Sequence, residues 1–170
     1  MRNVRSAGCH RSIYPDPGSI YGLFQFFFVL LAGLILGADK GAISVGCYVL
    51  LGLVGVPIFA AGGGIGYIFR PSFGYLVGFI VSAYVTGKVC EKLKASYKNY
   101  LLACLAGFVV TYAIGIVYKF IILNFYAHTP ATLGVIFLSC FPLDMPGDFV
   151  LCLLAAGVGL RMRKSGFYLS

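Results

Sequence analysis

Runs of apolar residues long enough to cross a bilayer, joined by short connections, constrain this chain more than any other feature. A bilayer core needs about 20 apolar residues in a helix. Ile20–Gly37 carries no charge, and Ala42–Ala60 follows just after the pair Asp39-Lys40. Phe73–Gly87 is a third, shorter candidate, and Tyr100–Phe125 a fourth, broken only by Lys119 near its end. Pro146–Leu160 is the fifth, while Thr132–Phe141 is too short to span and reads as a half-helix. The expected fold is all-α, an integral membrane helical bundle. It forms a single domain over residues 20–163, with an atypical, disordered segment at 1–19 and a tail at 164–170. Composition agrees: the chain is 60% hydrophobic and 11% charged, whereas a soluble domain is about half apolar and a quarter charged.

Thirteen Lys/Arg against five Asp/Glu give a net charge of +8. In a soluble protein such a balance would suggest nucleic acid. Here the basic residues fall mostly at the ends of apolar runs, which makes them topology signals and excludes a nucleic-acid partner. Lys88, Lys92, Lys94 and Lys98 form the most basic internal connection, so the 88–98 loop is expected in the cytoplasm. Arg161, Arg163 and Lys164 end the last span on the same side, two spans later. The 61–72 connection is then external. The segment before Ile20 also falls outside, although it carries Arg2, Arg5 and Arg11. Three arginines on the wrong side lead to the expectation that one more helix belongs before Ile20 and that the first nineteen residues are foreign to the fold.

Lipid supplies no hydrophobic drive between helices, so close packing relies on small residues. Gly33, Gly37 and Gly41 recur at four-residue spacing, as do Ala103, Gly107, Thr111 and Gly115, and Gly74, Gly78 and Ser82. These stripes fit tight internal packing or a face for a partner subunit, and sequence does not separate the two. The six cysteines form no CxxC pair and lie mostly inside apolar runs, where a thiol behaves as a small hydrophobe.

Two stretches break the apolar pattern in ways that suggest a binding site. Between the second and third spans lies AAGGGIGYIFRPSFGYLVGF, residues 60–79. Gly62, Gly63 and Gly64 permit backbone angles closed to other residues. Tyr67, Phe69, Phe73 and Tyr75 beside them can close over a small ligand or sit in an interfacial aromatic belt. No Gly-Lys-Ser/Thr follows, so the loop is not a phosphate loop, and the dinucleotide GxGxxG spacing fails. The second stretch is FPLDMPGDFV, residues 141–150. Pro146 is expected to open the last helix with Asp148 in its first turn, where an acid gains from the helix dipole. Asp148 to Arg161 covers about 20 Å of helix. That depth makes Asp148 either a functional ionisable group or a helix cap among headgroups. Gln25 and Tyr48 are expected to add polar groups to the same outer cavity. Arg70 is external and suits an anionic solute or a lipid phosphate.

No catalytic constellation emerges. His10 and His128 lack a neighbouring acid or cysteine pattern, and no Walker motif is present. The chain is expected to be neither an enzyme nor an ATPase, to need no cofactor or metal, and to bind a small solute while a partner supplies energy.

As a set, the quoted stretches resemble the BioY family, the biotin-specific S components of energy-coupling-factor (ECF) transporters. The resemblance is carried by Gln25–Phe79, by TYAIGIVY at Thr111–Tyr118 and by FPLDMPGDFVLCLLAA at Phe141–Ala156. It implies a six-helix fold, of which five spans are found here, the family's first helix being absent. It implies capture of biotin from outside, a transmembrane T subunit, and two ATPase subunits. It also assigns the flap after the third family helix to Gly62–Gly66, Pro71, Ser72, Gly74 and Tyr75, and the substrate-facing acid to Asp148. Gln25 matches the glutamine that begins the family's second helix. The expected substrate-binding set is therefore Gln25, Tyr48, Gly63, Gly64, Arg70, Ser72, Tyr75 and Asp148. Leu151 stands where many members carry a lysine, which leaves carboxylate recognition to Arg70, a backbone group or water. The alternatives are an S component for another small vitamin and a truncated bundle without binding activity.

Overall fold

A computed structural model describes residues 17–59, 62–126 and 144–166, with isolated positions 132, 134 and 136. The expectations for residues 1–16 and for most of the half-helix 132–141 lie outside the described residues. Five α-helices are present among those described: α1 Pro17–Leu36, α2 Ala38–Val54, α3 Phe73–Lys92, α4 Tyr97–Ile121 and α5 Asp144–Lys164. A 3-10 turn at Ile65–Phe69 precedes α3, and a π-helical turn at Ile122–Tyr126 extends α4. α3, α4 with its extension, and α5 are each long and apolar enough to cross a membrane, and Phe24–Leu36 is a shorter apolar stretch within α1.

The expected boundaries shift for local reasons. Pro17 takes the first position of α1, where its missing N–H costs nothing, so the helix starts before Ile20. Gly37, at φ 82°, turns α1 directly into α2, and Asp39-Lys40 becomes the first turn of that helix rather than a separate connection. α2 was expected to run to Ala60 but stops at Val54. Gly55 takes a left-handed φ of 119° there, and Val56 N–H donates back to the Leu51 carbonyl. Pro57, two residues on, cannot resume the helix. α5 begins at Asp144, so Pro146 is its third residue and Asp148 its fifth, two residues further from the helix start than expected.

α3 packs against α1, α2 and α4, while α5 packs against α1 and α4. Phe26, Leu30 and Leu34 follow one another at i+4 along α1 and form the spine of the core. The small-residue stripes are used inside this bundle. A Cβ on Gly33 would lie 2.6 Å from the Ala83 carbonyl oxygen on α3, and one on Gly78 3.0 Å from the Thr111 carbonyl oxygen on α4. A Cβ on Gly107 would lie 2.6 Å from Ser82 Oγ. Internal packing, one of the two uses open from sequence, accounts for these positions. The outward faces carry exposed Phe24, Leu50, Val54, Val109, Val117 and Leu154, a surface suited to acyl chains rather than water.

The two ends of the bundle differ in charge. At one end Ala38 N–H donates to Glu91 Oε1 at 2.9 Å, capping the start of α2 from α3. Arg163 Nη1 donates to the Tyr100 hydroxyl at 3.1 Å, joining the end of α5 to the start of α4. Lys88, Lys92, Lys94, Lys98, Arg161 and Lys164 gather there. The opposite end holds residues 55–59 and 62–72 and the start of α5.

Candidate ligand-binding site

A cavity of about 710 Å³ opens between α1 and α2, within the range of about 300–1,000 Å³ typical of small-molecule sites. Gln25, Phe28, Val29 and Ala32 line it from α1 at i, i+3, i+4 and i+7, the spacing of one helical face. Ser44, Val45 and Tyr48 line it from α2, and Pro57, Ile58 and Phe59 from the segment after that helix. The cavity needs α2 to end at Val54, because only then can residues 57–59 fold back over its wall.

Two polar groups in the wall differ in state. The Tyr48 hydroxyl donates to the Ile58 carbonyl at 2.7 Å, which fixes the returning segment and leaves the phenolic oxygen able to accept. Gln25 Nε2 is buried and has no hydrogen-bond partner among the described residues. A buried donor without a partner costs about 1–3 kcal/mol. Such a group in a native structure calls for a water, an ion or a ligand as its partner.

The glycine-rich stretch is ordered around Phe59. Phe59 and Gly62 exchange backbone hydrogen bonds at 3.1 Å in each direction, closing a tight reversal. Gly64 N–H donates to the Gly52 carbonyl at 2.7 Å and pins the stretch to the end of α2. The Phe59 ring covers Gly52, where a Cβ would collide with it, and a Cβ on Gly63 would collide with the Val56 carbonyl. Tyr67 is buried, its ring centroid 4.7 Å from that of Phe59, and the Tyr48 ring meets Phe59 edge-on at 5.9 Å. The Ser72 hydroxyl donates to the Tyr67 hydroxyl at 3.3 Å, and the Arg70 guanidinium lies 5.5 Å over the Tyr67 ring. Tyr118 on α4 donates to the Ile68 carbonyl.

Asp148 lies elsewhere. It is 9% exposed, and the Tyr112 hydroxyl of α4 donates to its Oδ2 at 2.8 Å. Tyr112 packs on Tyr75 at 5.8 Å and on Phe108 at 4.7 Å, and Phe108 meets Phe26 at 6.3 Å. Of the sequence-predicted set, Gln25 and Tyr48 line the cavity. Gly63, Gly64, Arg70 and Ser72 belong to the Phe59–Tyr67 stack behind its rim. Tyr75 and Asp148 meet at Tyr112 and are not among the lining residues. Sequence reasoning missed Phe28, Ala32 and Ser44, which share helical faces with Gln25 and Tyr48; extending each polar residue by i+3, i+4 and i+7, and back by i−4, finds them. It also missed Phe59 and Tyr112. Tyr112→Phe leaves the buried Asp148 carboxylate one donor short and is expected to lower stability by about 1–3 kcal/mol, measured as denaturant unfolding in detergent.

Among the described residues no group of three His, Cys, Asp or Glu could hold a metal ion. The site is an apolar, aromatic-walled cavity with one unpartnered amide donor among the described residues.

The chain is 36% identical over 151 residues to the biotin transporter BioY of Thermotoga maritima, covering 86% of this chain and 83% of that one. It is 35% identical over 141 residues to the "Probable biotin transporter BioY" of Lysinibacillus sphaericus, covering 82% and 72%. Its fold is similar to a crystal structure described as the S-component for biotin from an ECF-type ABC transporter. That match has a TM-score of 0.72 and 27% identity, over 82% of this chain and 74% of that one. The BioY family model matches residues 19–166. On that match and on those identities, this multi-pass helical membrane protein belongs to the BioY family.

Proposed function

We propose that this chain is the high-affinity biotin-binding S component of an ECF-type vitamin uptake transporter. The carrying observation is the unpartnered Gln25 amide in the wall of the 710 Å³ cavity. Biotin offers a ureido carbonyl and a carboxylate, either of which accepts from Gln25 Nε2 once that buried group turns into the cavity. Its thioether ring and aliphatic chain suit Phe28, Val29 and Phe59. Tyr48 contributes the edge of its ring and an acceptor oxygen. Gly63, Gly64 and Ser72 act behind this wall by holding Tyr67 and Phe59. Arg70 supplies a cation at the outer surface for the carboxylate. Asp148 and Tyr75, which meet at Tyr112 outside the cavity wall, hold α3, α4 and α5 together in this reading.

The basic end faces the cytoplasm in this reading, following the positive-inside rule, and biotin enters from the opposite side. The T subunit and the ATPase subunits supply the energy, since no nucleotide motif is present in the chain. Purified protein in detergent is expected to bind labelled biotin saturably, and unlabelled biotin to displace it where thiamine and riboflavin do not. Displacement by a different vitamin would reassign the substrate. Absence of binding to any of them would leave only a packed membrane bundle.

A further inference from the structure

We infer that the basic end of the bundle is a binding site for the headgroups of anionic phospholipids. This is independent of which solute occupies the cavity. Lys92, Lys94 and Lys98, between the end of α3 and the start of α4, and Arg161 and Lys164, at the end of α5, are all exposed. They are held in fixed relation. Asn99 Nδ2 donates to the Lys94 carbonyl at 2.9 Å, which orders the connection carrying the three lysines. The Tyr97 hydroxyl donates to the Leu153 carbonyl at 3.3 Å, and Arg163 to the Tyr100 hydroxyl, tying α4 to α5 on two levels.

Two acids share this end without neutralising the cluster: Asp39 lies in the first turn of α2, next to Lys40, and Glu91 is committed elsewhere. Glu91 Oε1 accepts the Ala38 N–H, and Oε2 faces Lys88 Nζ at 3.8 Å. Its charge is directed to the start of α2 and to Lys88, away from the lysines beyond. The depth of the cluster is marked by partly exposed Tyr84 and Tyr97, residues suited to the membrane–water boundary. Lys88 Nζ lies 5.9 Å over the Tyr84 ring. Val81, Leu102, Leu154 and Val158 are exposed on the same helices, further from the charged end. An anionic lipid meets both parts at once, its phosphate among the lysines and its acyl chains along that apolar surface. A soluble phosphate can use only the first. Polybasic segments at this level gain from anionic leaflets, with an effect of about fivefold in affinity for each charge.

The test uses the full chain reconstituted in nanodiscs of phosphatidylcholine mixed with an equal part of phosphatidylglycerol, or of phosphatidylcholine alone. Native mass spectrometry after detergent release reads the retained phosphatidylglycerol, and thermal unfolding reads its stabilising effect. Wild-type protein is expected to retain phosphatidylglycerol and to unfold at higher temperature in the mixed bilayer. Lys92→Gln/Lys94→Gln/Lys98→Gln should reduce retention at least tenfold, about fivefold per charge; Lys119→Gln, at the other end, should not. The corresponding Lys→Arg triple variant should retain the lipid, separating charge from structural loss. Arg161→Gln/Lys164→Gln gives a second reading on a different helix should the triple variant fold poorly. Undiminished retention in both Gln variants would overturn the proposal. So would equal stabilisation by inorganic phosphate, which would make the cluster a free-phosphate site.

Discussion

Gln25→Leu is expected to move two measurements in opposite directions. Replacing a buried, unpartnered amide by an apolar group of similar size removes its desolvation cost. The ligand-free protein should therefore be as stable as the wild type or more so, by up to about 1–3 kcal/mol in unfolding experiments. Biotin affinity should fall by about 10–100-fold, because a polar atom of the ligand is then buried without its donor. A residue that only supports the fold would lower both quantities together. Equal affinity in the variant would remove Gln25 from the site.

The largest effect on folding is expected at Gly87. A Cβ there would lie 2.6 Å from Ala38 Cα and 2.6 Å from the Gly37 carbonyl carbon, with the Ala38 nitrogen closer still. These are backbone atoms at the sharp turn between α1 and α2, held by the Ala38–Glu91 hydrogen bond, so they cannot yield as a side chain does. Gly87→Ala should cost about 2–3 kcal/mol by overpacking, despite the better helix propensity of alanine. Gly87→Leu should not yield a monodisperse protein. Gly46→Ala is the control within α2: its Cβ meets nothing within 4 Å, and the change should stabilise by about 0.5–1 kcal/mol. Denaturant midpoints in detergent for the two alanine variants check the contrast.

The helices and the family were legible in the sequence because both are written in long stretches. Apolar runs locate spans whatever the details of their ends, and the combined flap and PGD motifs identify BioY as a set. Helix ends were legible only in part. Gly55 followed by Pro57 is a stop signal, yet the residues beyond it, Val56 through Ala60, are as apolar as those before. Hydropathy therefore carried the expected helix past its end and hid the returning segment that completes the cavity. The stripes of Gly33, Gly78 and Gly107 showed that something approaches closely, but spacing does not say whether the neighbour is in the same chain.

The site was legible as residue types and not as a constellation. Gln25 and Tyr48 were singled out as polar groups within apolar helices, and they line one cavity. Asp148 was singled out for the same reason, but its place depends on Tyr112, a residue on α4 that nothing in the local sequence marks. Phe59 escaped notice because an aromatic residue in an apolar run carries no signal of its own. Its contact with Gly52, Tyr48 and Tyr67 arises only once the chain turns back.

In the proposed complex biotin occupies the space between α1 and α2. An experimental structure of the protein with biotin bound tests that most directly. Ligand density bounded by Gln25, Phe28, Tyr48 and Phe59, with a polar ligand atom at hydrogen-bond distance from Gln25 Nε2, is the predicted result. Density lying beside Asp148 and Tyr112 with the α1–α2 cavity empty of biotin would contradict it.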